Sequence, residues 1–358
     1  MSKVNTSDLV PGMILESDVY NYNDQLILPE GLRLNDKAIT KLTFYSISTV
    51  NIKDDSVSNT PIPDFSESSF SQRLKASSEF KEFQKNFEEN VANFSMSISD
   101  VVEKNAPLNI DDMIEESLNL LHPSTGDISV FDMIHNMRQY DDLTFAHSIN
   151  VGLICNVFAS WLGMSDEDQK LALSCGLLHD IGKLKIPENI IKKPAKLTDS
   201  EFDIIKTHPV EGYKILQRYP LSDHIRNAAL MHHEKCDGSG YPLGITGDRI
   251  DKFAKIVAIA DVYEATTAAR IYRGPLCPFQ VISIFENEGL LKYDTHMIMT
   301  FLENIINTYI QNRVRLSNGM EGDIIFINKQ CLSKPTIKCG SEYIDLIQHP
   351  HLYIEAII

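Results

Sequence analysis

Leu171-Ala-Leu-Ser-Cys-Gly-Leu-Leu-His-Asp-Ile-Gly-Lys183 is an apolar, helix-like run that ends in a histidine and an aspartate. Placing His179 and Asp180 in so greasy a segment is costly unless something pairs with them. Four similar groups flank the run: His147, His208, the doublet His232-His233, and Asp261 in Ala260-Asp-Val-Tyr263. Successive members are 24 to 32 residues apart, about one helical hairpin each. Helices in sequence can therefore aim these side chains at one point, as metal sites in bundles do. Each is a weak signal alone. Together, five imidazoles and two carboxylates suit a first-row divalent metal centre.

Around this segment, 358 residues are enough for more than one structural unit. A composition of 43% hydrophobic and 23% charged residues is that of a globular protein and excludes a fibrous repeat or a disordered chain. The formal charge of −16 argues against a general DNA or anionic-membrane binder. Residues 1–120 hold 20 acids and 10 bases, so the acidity is concentrated away from the His/Asp segment. Six cysteines without a CxxC pair read as reduced thiols. The polar N-terminus has no signal core and no run approaches a membrane span, so a soluble cytoplasmic protein without membrane insertion is expected.

The expected fold is mainly α: a helical bundle with a small N-terminal α+β/β domain and a small C-terminal β extension. Residues 1–55 form the N-terminal regulatory unit, with turn signals at Val10-Pro-Gly-Met13 and Leu28-Pro-Glu-Gly31, β-prone runs at 13–15, 26–28 and 50–52, and a short helix over 34–42. Residues 56–125 are a linker and helical connector. There Phe80, Phe83, Phe87, Val91, Phe94, Ile98 and Val101 make one apolar stripe. The plainer reading packs it on the neighbouring domain; the sharper one makes it a homodimer seam through the 80–101 helix. Residues 126–312 hold the His/Asp groups. Residues 313–358 close the chain as a structural cap, with an Asn318-Gly319 hairpin in which both turn positions need positive φ.

The segments LLHDIGK (177–183), THP (207–209), HHEKCDGSGYP (232–242) and AIADVYEA (258–265) resemble the HD-GYP family of cyclic di-GMP phosphodiesterases, a branch of the HD metal-dependent phosphohydrolases. The resemblance covers about 126–312 and implies an HD-type bundle. Position by position it implies His147, His179, Asp180, His208, His232, His233 and Asp261 as metal ligands. Asp180 would bridge two divalent ions, with His147, His179 and Asp261 on one and His208, His232 and His233 on the other. The resemblance points to iron, then manganese; zinc, cobalt and nickel suit the same ligand types. The implied reaction is attack of a metal-bridging hydroxide on cyclic di-GMP, giving pGpG and GMP.

It also implies substrate contacts at Lys183, Gly240, Tyr241, Arg270 and Arg273, the arginines clamping phosphate. Glu234 is expected to orient a ligating imidazole. In some family members a Glu four residues before the first His binds a third metal. Leu143 stands at that place here, so two metals are expected, with Asp141 and Asp142 the only nearby substitutes. The alternatives are hydrolysis of a 3′,3′-hybrid cyclic dinucleotide, or a non-catalytic cyclic-dinucleotide sensor or interaction module.

Overall fold

The structure is a computed structural model. It describes residues 74–121, 130–137, 144–191, 193, 197–267, 276–309 and 312–358, together with 2–6, 9–10, 13–20, 26–28, 31–32, 34, 42, 47 and 49–53. The chain divides into two compact units, Met1–Glu67 and Ser68–Ile358.

In the first unit β1 (Ser2–Asn5) pairs antiparallel with β4 (Thr49–Ile52), and β2 (Val19–Tyr20) with β3 (Leu26–Leu28). Leu15 bridges Ile52. Leu9, Leu15, Val19, Leu28, Leu34, Leu42, Val50 and Ile52 form its small core. Most of the helix expected over 34–42 falls on residues outside those described.

The second unit opens with α1 (Ser78–Lys104), whose N-terminus is capped by Ser77 accepting from the Phe80 N–H at 3.1 Å. Every residue of its apolar stripe is at most 5% exposed, buried in the unit's own core. Phe94, for example, meets Phe145 edge-on at 6.2 Å. The homodimer seam expected at 80–101 is therefore corrected to intrachain packing: the stripe is already covered.

There follow α2 (Ile110–Asn119), α3 (Val130–Asn136), α4 (Phe145–Trp161) and α5 (Asp166–Leu178). A 3-10 turn, Ile181–Lys185, leads to α6 (Glu188–Ile191), α7 (Asp199–Ile205), α8 (His208–Leu216), α9 (Asp223–Met231) and α10 (Lys252–Thr267). Then come α11 (Pro278–Ile284), α12 (Leu290–Lys292) and α13 (Thr295–Asn307). The central helix α4 is buried without a break from Ala146 to Asn156; the stretch is largely apolar, with His147, Ser148, Asn150 and Asn156 as its buried polar residues. It crosses α5 in backbone contact. A Cβ on Gly176 would stand 2.6 Å from the Gly152 Cα, so only glycine permits this crossing.

The chain ends in a five-stranded antiparallel sheet of order β8-β7-β6-β5-β9, built from β5 (Arg313–Leu316), β6 (Glu321–Phe326), β7 (Thr336–Cys339), β8 (Glu342–Asp345) and β9 (Ile354–Ile357). Its inner face, with Val314, Ile324, Ile337 and Ile354, joins the same continuous core as the helices. Asn318-Gly319 does turn β5 into β6, but only Gly319 has positive φ (+84°). The Gly319 N–H donates to the Leu316 carbonyl at 2.8 Å, and the Leu316 N–H to the Met320 carbonyl at 2.8 Å. The loop is thus a turn closed by one left-handed glycine, and the expectation of two positive-φ positions is corrected. Among the described residues no helix is long and apolar enough to cross a membrane.

Candidate metal centre

The seven candidate ligands sit at or near helix ends, with Asp261 inside a helix. His147 lies in the first turn of α4, and His179 directly follows α5. Asp180 opens the 3-10 turn, so the pair marks the end of the helical run, as the sequence places it. His208 begins α8, His232 and His233 follow α9, and Asp261 lies in mid-α10. His179 and His208 are fully buried, and Asp180 is 3% exposed.

Asp180 is the hub. Its Oδ2 lies 3.3 Å from His179 Nε2 and 3.6 Å from His147 Nε2, while its Oδ1 lies 3.3 Å from His208 Nε2 and 3.7 Å from His232 Nε2. His147 Nε2 is 3.2 Å from Asp261 Oδ1. The His233 ring stands 4.1 Å from that of His232 and 5.0 Å from that of His208. Donor atoms of His147, His179 and Asp180 lie within 4.8 Å of one another, and so do those of Asp180, His208, His232 and His233. The two oxygens of one carboxylate thus face two separate groups of imidazoles.

The ring orientations expose the same nitrogen each time. His179 Nδ1–H donates to the Gly176 carbonyl at 2.7 Å, and His208 Nδ1–H to that of Ile205 at 2.7 Å. His232 Nδ1–H points at the Ala228 and Ala229 carbonyls at 3.1 and 3.0 Å. His147 Nδ1–H donates to Glu264 Oε2 at 2.6 Å. A neutral ring that gives its proton at Nδ1 keeps a bare lone pair at Nε2, the form a metal binds. Burial pushes His232 well below its ordinary range and His233 down to about 3, so both favour the neutral form.

These lone pairs and carboxylate oxygens converge, with the Lys183 ammonium reaching Asp180 Oδ2 from one side. His179 Nε2 and Asp180 Oδ1 are buried with no hydrogen-bond partner. The 3.3 Å approach of His208 Nε2 to Asp180 Oδ1 is therefore proximity, since a ring whose only proton is at Nδ1 has none to give there. Ligands about 2.1 Å from a cation stand about 3.0 Å apart at right angles and about 3.4 Å apart at tetrahedral angles. The observed separations of 3.2 to 3.7 Å span the tetrahedral value and lie just above the right-angle one. In donor type, spacing and unmet polar atoms, the cluster fits divalent metal ions.

Lys183 donates to Asp180 Oδ2, which places its ammonium beside the hub. Tyr241 stacks on His233, ring centroids 4.7 Å apart and planes at 28°. Gly240 lies against the chain that follows the histidine doublet: a Cβ there would stand 2.5 Å from the His233 carbonyl oxygen and 2.5 Å from the Lys235 nitrogen. Arg270, Arg273, Leu143, Asp141 and Asp142 lie outside the described residues.

Two outer residues differ from expectation. Glu234 does not orient an imidazole. Its buried carboxylate accepts the backbone N–H groups of Leu243 (2.6 Å), Gly244 (3.2 Å) and Ile245 (3.2 Å), and so holds the loop beyond Pro242. The imidazole partner is Glu264, which sequence reasoning missed, steadied in turn by Asn150 Nδ2 at 3.0 Å from Oε1. Its one signal was position: Glu264 follows Asp261 by three residues on α10 and so shares its face. Burial opposes a charge on His147, but the Glu264 and Asp261 carboxylates outweigh it and push its pKa up to about 9. This ring, unlike His232 and His233, therefore favours the charged form, and a cation at Nε2 would have to displace its proton. Burial likewise works against ionised Asp180 and Asp261, yet their imidazole neighbours, with Lys183 beside Asp180, hold both carboxyls well below the usual range.

Residues 130–297 match the model of the HD domain family. Among curated proteins, a 3′3′-cGAMP-specific phosphodiesterase of Vibrio cholerae is 43% identical over 145 residues, which are 40% of this chain and 34% of the relative. A cyclic di-GMP phosphodiesterase of Pseudomonas aeruginosa is 32% identical over 204 residues, 56% of this chain and 49% of the relative. The chain thus spans between a third and a half of the length of these relatives. The resemblance to the HD-GYP branch, first seen in the motifs, agrees with both. A solved HDG"Y"P protein of Bdellovibrio bacteriovorus is 17% identical, with a TM-score of 0.49 over 85% of this chain and 99% of that one.

Proposed function

We propose that the chain hydrolyses a cyclic dinucleotide, cyclic di-GMP or the hybrid 3′,3′-cGAMP, at a centre holding two divalent metal ions, iron or manganese. The observation that carries this reading is the split at Asp180. One oxygen faces His147 and His179, and the other faces His208 and His232. A single carboxylate shared in this way serves two cations.

Bound there, two such ions supply Lewis-acid activation of water and neutralise charge at the phosphodiester. The chain's own residues do the rest. Asp180 holds the two halves together, with Asp261 completing the first and His233 the second. Lys183 brings positive charge beside the hub. Tyr241, flat against His233, offers its ring to a base and its hydroxyl to a phosphate oxygen. Gly240 lets the loop backbone draw in close. Arg270 and Arg273 are assigned to the substrate phosphates. Water adds across one P–O3′ bond, leaving a terminal phosphate and a free 3′-hydroxyl, so the first product is linear and a second cut gives mononucleotides.

Both substrates have support among the relatives, the hybrid from the match at 43% identity and cyclic di-GMP from the longer match at 32%. The test is incubation of the purified chain, reduced and supplied with Fe²⁺ or Mn²⁺, with each dinucleotide in turn, products being resolved by chromatography. A linear dinucleotide is expected to appear first from the preferred substrate. A chain that binds metal but consumes neither would overturn the proposal in favour of a sensor.

A further inference from the structure

Gly182 lies in the 3-10 turn that follows the hub Asp180, and its Cα faces the first turn of α8. A Cβ there would stand 2.5 Å from the Gly212 nitrogen, 2.9 Å from the His208 carbonyl carbon and closer still to the His208 carbonyl oxygen. All three atoms are backbone, so nothing nearby can rotate aside. To restore ordinary contact the start of α8 would have to retreat by about 1 Å, a large shift in a close-packed interior.

That retreat acts on one ligand. His208 is the first residue of α8, so the backbone that carries its ring moves with the start of the helix, away from the Ile205 carbonyl at the end of α7 that its Nδ1 now meets. Its Nε2 now lies 3.3 Å from Asp180 Oδ1 and 3.3 Å from His232 Nε2. His147, His179 and Asp261 are carried by α4, α5 and α10, and the backbone crossing of α4 with α5 is made at Gly152 and Gly176. They stay where they are.

We propose that Gly182 is a positioning residue for the second metal. Its lack of a side chain lets α8 approach until His208 shares Asp180 with the first group, turning a one-metal centre into a two-metal one. The inference rests on the dinuclear reading above and adds to it the element that sets the spacing of the two halves. Gly212, on the other side of the same contact, is less restricted, since a Cβ there would meet the Gly182 nitrogen at 3.3 Å.

The experiment loads the wild-type chain, Gly182→Ala, His208→Ala and Gly212→Ala with Mn²⁺. Bound metal per chain is counted after desalting, and electron paramagnetic resonance separates coupled from isolated Mn²⁺. Thermal unfolding of each metal-free variant monitors the fold. The wild type and Gly212→Ala should hold two coupled ions. Gly182→Ala and His208→Ala should each fall to one, with the spectrum of an isolated ion. If the wild type holds two and Gly182→Ala also holds two coupled ions, the inference is wrong and the dinuclear reading stands. A Gly182→Ala chain that unfolds, or loses both ions, overturns it as well, because the residue would then support the whole core. A wild type holding a single ion overturns the dinuclear reading itself.

Discussion

Glu264→Gln separates the charge of the His147 partner from its shape. In the native site the 2.6 Å bond from His147 Nδ1–H ends on a carboxylate, and a hydrogen bond to a charged group contributes ~1.5–3 kcal/mol against ~0.5–1.5 for a neutral one. The substituted amide keeps an oxygen for Nδ1–H and presents an NH₂ where Asn150 Nδ2 now donates. Asn150 Oδ1 is buried without a partner, so a flip of the Asn150 amide supplies the acceptor. The tautomer and packing are therefore kept, and the loss reduces to about 1–1.5 kcal/mol of charge assistance. That corresponds to roughly tenfold weaker metal binding at the His147, His179 and Asp261 group. Glu264→Ala should cost more, nearer a hundredfold, because it strands the buried Nδ1–H and Asn150 Nδ2 without acceptors. Stepwise Mn²⁺ titration against a competing chelator resolves the two affinities. The reasoning is refuted if both variants bind like the wild type, or if both metals weaken equally in Glu264→Gln.

Asp180→Ala removes the carboxylate common to both groups and should reduce bound metal to well under one ion per chain, by elemental analysis of the desalted protein; near-native metal content would contradict the hub role. Glu234→Ala takes the acceptor from three loop N–H groups and should lower stability by ~2–4 kcal/mol in denaturant unfolding while leaving both metals bound. Loss of metal instead would restore an imidazole-orienting role for Glu234. Asp294 caps α13, accepting from the Met297 N–H at 3.3 Å and from Lys255 at 3.2 Å. Burial works to raise its pKa, but those two donors outweigh it and hold the carboxyl below the usual range. A depressed folded-state pKa gives stability that is present above the unfolded value near 4 and lost as pH falls. Asp294→Ala should thus cost ~1 kcal/mol at neutral pH, and its gap from the wild type should narrow under acid.

The candidate ligands were legible because metal chemistry restricts residue type and because one hairpin per interval is a length that survives translation into sequence. What each neighbour does was far less so. Glu234 stands next to His233 in the chain, yet its carboxylate turns away to a loop nine to eleven residues ahead, which only the folded loop determines. Glu264 is 117 residues from the ring it orients, and a helical glutamate three places from an aspartate has no feature to mark it out. The α1 stripe showed its period correctly, but a period says nothing of whether the covering surface belongs to the same chain or to a second copy. At Asn318-Gly319 the dipeptide announced the turn, while the number of left-handed residues was set by the extra residue in the loop.

Helix ends explain both what the sequence concealed and why the rings agree in orientation. The last carbonyls of a helix lack intrahelical donors and must find others. Three of the candidate ligands answer that need: His179 caps Gly176 at the end of α5, His208 caps Ile205 at the end of α7, and His232 caps Ala229 at the end of α9. Each ring thereby uses its one proton to finish a helix and turns its lone pair inward. Backbone geometry, fixed on folding, thus sets the tautomer before any cation arrives, so these rings need little reordering on binding. The same device makes the site depend on where the helices stop. Helix ends are the boundaries that local sequence specifies least sharply, so the seven residues could be named from the chain but the way they face could not.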